Sequence, residues 1–146
     1  MIALACDHGG FELMQEVKAY LDTGGFDYKD FGTFSPESCD YPETAVPAAK
    51  AVSNGECERG IFICGTGVGM SIAANKIPGI RAALCSDCFT AEMTRRHNDA
   101  NVITLGGRVT GVGLAIKMIE QFLSTEFENG RHGRRVEMLK DLDATR

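Results

Sequence analysis

The chain alternates almost without interruption between short apolar runs and stretches whose apolar residues recur at helical spacing. Met1–Cys6, Phe26–Phe31, Gly60–Cys64, Ile80–Cys85 and Ala100–Leu105 read as strands. Gly10–Leu21 reads as a helix, with Phe11, Met14, Val17 and Leu21 on one face, and Gly24-Gly25 stops it. Pro42–Val52, Met70–Asn75, Asp87–His97 and Gly113–Leu123 read as further helices, and a tail from Arg131 to Leu142 looks helical with polar residues projecting. Strands separated by single helices imply parallel βαβ units. Strands that are apolar nearly throughout imply a parallel sheet covered on both faces. At 146 residues, with no linker or repeat, residues 1–146 are expected to form one domain. Ligands of such sheets bind beyond the carboxyl ends of the strands, which singles out Cys6–Gly10, Cys64–Ser71 and Cys85–Asp87.

Composition removes several classes of function. Fifteen basic residues against twenty acidic give a net charge of −5, so no nucleic-acid partner is expected, because phosphate backbones need a basic face. No apolar run approaches the roughly 18 residues of a membrane span, and the start of the chain lacks the basic and apolar stretches of a leader. A cytoplasmic protein with no membrane partner is the expectation. The six cysteines are then expected to be reduced thiols. Cys85-Ser-Asp-Cys88 is a CxxC, but it lacks the second pair or spaced histidines of a zinc site, so no metal is expected there.

The segment Cys64-Gly65-Thr66-Gly67-Val68-Gly69-Met70-Ser71 joins a buried strand to a helix. Glycines at 65, 67 and 69 remove Cβ atoms and permit positive φ, so successive N–H groups can converge on an anionic oxygen at a helix start. Known nucleotide patterns fail: GxGxxG needs glycine where Met70 stands, and no lysine follows the last glycine. A cysteine-phosphatase loop needs arginine at that same position. The turn is therefore an anion cradle of another kind, with the thiol of Cys64 at its lip as a candidate nucleophile or base.

Other polar groups cluster where a core would exclude them. Asp7-His8 follows the first strand directly, and Asp7 alternatively caps the next helix. Arg95-Arg96-His97-Asn98 ends a helix, where basic residues also suit the macrodipole, and His97 is able to exchange protons near neutrality. Gly130-Arg131-His132-Gly133-Arg134-Arg135 is a basic cluster in an acidic chain, able to hold a phosphate or to stand solvated. Arg108 follows the fifth strand on the ligand side.

Together these segments resemble the ribose-5-phosphate isomerase B family, which includes galactose-6-phosphate isomerase subunits and allose-6-phosphate isomerase. The likeness runs from Ala5-Cys6-Asp7-His8-Gly9-Gly10-Phe11 through Asp30-Phe31-Gly32-Thr33, Asp40-Tyr41-Pro42 and Cys64–Asn75. It continues through Gly79–Ala83, His97–Val102, Gly106–Val109 and Gly130-Arg131-His132 to Val136-Glu137. Around Cys88-Phe89, where many relatives carry proline and tyrosine, the chain departs from the pattern. The resemblance implies a three-layer α/β/α Rossmann-like domain with a five-stranded parallel sheet. It also implies a homodimer with sites at the interface, leaving open whether dimers pair into tetramers.

As function, the resemblance implies interconversion of ribose 5-phosphate and ribulose 5-phosphate, with no cofactor and no metal. By position, Cys64 matches the family's base and His97 its ring-opening acid/base. Asp7, His8, Tyr41, Gly65, Thr66, Gly67, Val68, Gly69 and Asn98 match positions that contact substrate. His8, Arg108, Arg131 and Arg135 match the phosphate site. Two other readings stay open: a hexose-6-phosphate isomerase, and a non-catalytic module that binds a phosphate ligand.

Overall fold

The computed structural model describes residues 1–146. Five strands, β1 (Ile2–Cys6), β2 (Tyr28–Asp30), β3 (Arg59–Cys64), β4 (Ala82–Leu84) and β5 (Val102–Gly106), form one parallel sheet in the order β2-β1-β3-β5-β4. Six helices accompany them: α1 (Phe11–Thr23), α2 (Tyr41–Ser53), α3 (Val68–Asn75), α4 (Cys88–Asn98), α5 (Val112–Ser124) and α6 (Arg131–Asp143). The expected three-layer α/β arrangement is what the chain adopts.

Alternation along the strands divides the core into two layers. Ile2, Leu4 and Cys6 of β1 and Ile61 and Ile63 of β3 pack with α1, α4 and α5 on one face, around Met14, Met118 and Phe122. Ala3 and Ala5 of β1 and Phe62 and Cys64 of β3 turn to the other face, against Ala45, Ala48 and Ala49 of α2 and Met70 of α3. Alanine on both sides of the β1–α2 contact lets that helix lie close to the sheet, so little slack remains there. Helix α6 packs outside α4.

Edge strands are shorter than the apolar runs suggest. Ile80–Cys85 reads as a strand, yet only Ala82–Leu84 pairs with β5. Two asparagines take the backbone over: Asn101 Oδ1 accepts from the Arg81 N–H and its Nδ2 donates to the Gly79 carbonyl. Asn75 does the same on Ala82, through Oδ1 at 2.8 Å and Nδ2 at 3.0 Å.

The strand order places the topological switch between β1 and β3. From β1 the chain moves outward to β2, and from β3 it moves the other way, so a crevice opens at their carboxyl ends. Three loops meet there almost backbone to backbone. A Cβ on Gly9 would lie 2.8 Å from the Gly65 nitrogen, one on Gly106 2.8 Å from the Thr66 carbonyl, and one on Gly107 2.5 Å from the Gly9 oxygen. One on Gly10 would overlap the Ile63 carbonyl. The segment after β5, not Cys85–Asp87 after edge strand β4, is thus the third wall of the crevice.

Substituting Gly10→Ala should therefore cost about 1–3 kcal/mol, the usual penalty of forcing a methyl into a filled site. Urea denaturation would read this as a lowered midpoint at unchanged slope.

Candidate active site

Cys64 is the last residue of β3, facing α2 and α3, and is 5% exposed. The N–H of Gly67 points at its sulfur, with nitrogen and Sγ 3.1 Å apart. Gly67 reaches that position with φ of +81°, open to glycine at little cost, and its carbonyl is held by the buried Thr104 hydroxyl at 2.9 Å. The other two glycines serve differently from the sequence expectation. Neither Gly65 nor Gly69 has positive φ. Gly65 makes room for the Arg108 side chain, whose Nη1 would lie 3.1 Å from a Cβ there, and Gly69 makes room for the Tyr41 ring, 2.8 Å from one.

The turn runs straight into α3. The Val68 N–H donates to Thr66 Oγ1 at 3.2 Å, and the first backbone bond of the helix is from the Ser71 N–H to the Gly67 carbonyl. The N–H groups of Gly69 and Met70 have no acceptor within the chain. Free first-turn donors beside a thiol are suited to negative charge growing on a bound oxygen. Thr66 and Val68 are exposed beside them.

Asp7, at the end of β1, is 6% exposed. Its Oδ1 accepts from the N–H groups of Gly9 (2.8 Å) and Gly10 (3.2 Å), bending the chain out of the sheet. It is not the N-cap of α1; that place is taken by Gly10, which makes no side-chain cap bond. His8 Nδ1 accepts from the Cys39 N–H at 3.2 Å, so in the neutral ring Nε2 carries the hydrogen. His8, Gly9, Gly107 and Arg108 line a cleft of about 280 Å³ together with Glu12 and Pro36. An imidazole donor and a guanidinium in one cleft are groups able to hydrogen-bond an anionic oxygen.

His97, Asn98, Arg131 and Arg135 lie elsewhere. Helix α4 starts after β4 at the carboxyl end of the sheet and runs back to the amino end of β5. His97 and Asn98 therefore sit at the opposite pole from Cys64, which pairs with the last residue of β5. The length of a five-residue strand, on the order of 15 Å, separates them within one chain. Arg131 and Arg135 are exposed, one turn apart on α6.

Sequence reasoning missed what fixes this second group. Arg95 is not a surface residue but 3% exposed. Its guanidinium binds Asp99 at 2.9 Å, the Ala100 carbonyl at 2.6 Å and the Thr125 carbonyl at 3.3 Å, tying α4 to β5 and to the loop before α6. The Glu128 N–H donates to the Arg96 carbonyl at 3.1 Å, and the His132 ring stacks on the His97 ring with centroids 4.3 Å apart. Ligand atoms of His97, Glu128 and His132 fall within 4.8 Å of one another. Only the place of His132 among Arg131, Arg134 and Arg135 hinted at this.

Residues 2–139 match the family described as Ribose/Galactose Isomerase. The chain belongs to that family. It is similar to ribose-5-phosphate isomerase B of Escherichia coli, 48% identical over 145 residues, or 99% of this chain and 97% of the relative. Among solved structures, the ribose-5-phosphate isomerase B of Clostridium thermocellum superposes with a TM-score of 0.97 at 48% identity, covering 99% and 97% of the two chains. That of Mycoplasma genitalium, solved with bound ribulose-5-phosphate, gives a TM-score of 0.94 at 38% identity over 98% of this chain and 95% of its own. Members of this family of sugar isomerases share this sheet, and no helix of the chain is long and apolar enough to cross a membrane.

The thiols differ in chemistry. Burial pushes those of Cys6 and Cys85 up to about 12, so both stay protonated at neutral pH. A protonated, buried Cys85 is a poor nucleophile toward Cys88. Iodoacetamide at pH 8 should leave Cys6 and Cys85 unmodified in the folded protein and label both in urea, read by peptide mass spectrometry. Early labelling of Cys85 would contradict its burial.

Proposed function

We propose that residues 1–146 act as one isomerase domain that interconverts ribose 5-phosphate and ribulose 5-phosphate, with each site built from two copies of the chain. The observation that carries this is the placement of Cys64 Sγ beneath the Gly67 N–H, beside free helix donors and the His8–Arg108 cleft. Similarity to an isomerase structure with bound ribulose-5-phosphate supports the choice of sugar.

Ribose 5-phosphate hides its carbonyl in a furanose ring. In our reading the partner's His97 gives a proton to the ring oxygen while Asp7 or a water takes one from the anomeric hydroxyl. The Cys64 thiolate then removes the hydrogen at C2 of the open aldehyde. Negative charge moves onto oxygen as the enediolate forms, opposite the donors of Gly65–Met70 with Thr66 and the partner's Asn98. The proton on O2 passes to O1, and the thiol returns its hydrogen to C1, giving the ketose. His8, Arg108 and the partner's Arg131 and Arg135 hold the phosphate, so binding remote from C2 orients the reacting carbons.

Two halves at opposite poles of one chain require a second copy turned by a two-fold rotation, which brings each half against its complement. An apolar surface suited to such contact lies beside the Cys64 turn: Val68, Ile72, Leu84 and Phe89 are 46%, 54%, 41% and 72% exposed.

Cys64→Ala should remove isomerisation, by 100-fold or more in kcat on the scale of a general base. His97→Asn should slow conversion of ribose 5-phosphate, yet still let solvent deuterium enter C1 of ribulose 5-phosphate, a ketose whose exchange needs no ring opening. Equal loss of both reactions would refute the ring-opening role.

Mixing tests the shared site directly. Cys64→Ala and His97→Asn chains, each strongly impaired on ribose 5-phosphate, refolded together should recover about a quarter of wild-type activity, since half the dimers are mixed and each mixed dimer has one intact site of two. No recovery would mean that all groups come from one chain.

A further inference from the structure

At the pole opposite Cys64, two imidazoles lie nearly parallel, at 13° and 4.3 Å, although the reaction proposed above uses only one. His132 is 8% exposed, whereas His97 is only half-buried. We propose that His132 is a positioning residue for His97, a flat buried plate that sets the plane of the His97 ring. The inference rests on the ring-opening role of His97.

Three observations converge on it. The backbone that carries the plate is held independently of His97: the His132 main-chain N–H donates to the Asn129 carbonyl at 3.2 Å, in the turn formed by Asn129 (φ +62°) and Gly130 (φ +61°). That turn is fastened to α4 in turn, through the Glu128 N–H on the Arg96 carbonyl and through Arg95 on the Thr125 carbonyl. The stack therefore joins two elements whose relative position is already fixed, which is what a positioning contact needs.

The charges around the pair favour one neutral ring. Burial first, then the neighbouring His97 and Arg131, hold His132 below the usual imidazole range. Arg135 acts in the same direction, and Glu128 opposes from 3.8 Å at His132 Nε2, but that carboxylate is also engaged by Arg96 at 3.5 Å. Stacked rings cannot both take a proton without repulsion, so charge on one ring disfavours charge on the other.

The same trio offers ligand atoms to a divalent cation, but the geometry argues against that use. Lone pairs of near-parallel rings run side by side and do not converge on a point about 2 Å from each nitrogen. Arg96 and Arg131 add positive charge around the trio.

The test compares His132→Ala, which removes the plate, with His132→Phe, which keeps a flat ring and loses both nitrogens. His132→Ala should lower kcat on ribose 5-phosphate about tenfold with KM changed less than twofold. Deuterium incorporation into C1 of ribulose 5-phosphate, which depends on the Cys64 half, should stay within twofold of wild type, and its loss would show misfolding or dissociation to be the cause and overturn the proposal. His132→Phe should restore kcat to within threefold of wild type. If His132→Phe is as defective as His132→Ala, or if the loss falls on KM, His132 touches substrate through its nitrogens and the positioning role fails. His97→Asn, measured alongside, separates the two readings: unchanged turnover there overturns the role of His97 itself, and this inference with it.

Discussion

Everything at the carboxyl end of the sheet depends on how closely three backbones approach one another. The loops after β1, β3 and β5 meet at the switch point with Gly9, Gly10, Gly106 and Gly107 in the contacts, and a Cβ at any of them would strike a neighbouring main chain. This contact carries no side-chain chemistry, yet it sets where the side chains stand. The Gly107 N–H on the Cys64 carbonyl (2.8 Å) and the Arg108 N–H on the Gly65 carbonyl (3.0 Å) fix the arginine against the turn that starts at the thiol. Loops packed this way have few alternative arrangements, so the free N–H groups of the turn after β3 are held in place.

Sheet polarity then dictates the rest. In a parallel sheet every connecting helix returns to the amino end, so a residue late in α4 cannot share a site with one at the end of β3 of the same chain. Residues matched to one reaction therefore divide into two groups at opposite poles, each supported by its own network. Asp7, Thr104 and the glycines support the first. The buried guanidinium of Arg95 and the loop before α6 support the second.

Much of this was legible in the residues. The order of strands and helices follows from periodicity alone, because long amphipathic segments and continuous apolar runs are the strongest local signals. Cys64, Asp7 and Arg108 stand out because polar groups at strand ends are rare without a purpose. What local reading misjudged was set by distant partners. Gly65 and Gly69 look like positive-φ residues but make room for Arg108 and Tyr41, which arrive from other elements. Arg95 looks like a macrodipole residue until the fold surrounds it with the Ala100 and Thr125 carbonyls. His132 looks like part of a solvated tail until α6 lays it on His97.

Asn75, at the end of α3, has a consequence for the rim of the sheet through its bonds to edge strand β4. Along β4 and the residue after it, 83 and 85 direct their peptides toward β5, as the Cys85 N–H on the Thr104 carbonyl shows, so 82 and 84 direct theirs outward. The Asn75 amide occupies both groups of Ala82, leaving Leu84 as the single outward peptide of that rim. One peptide is too little to template an incoming strand, so this rim of the sheet does not invite fibrous edge-to-edge growth.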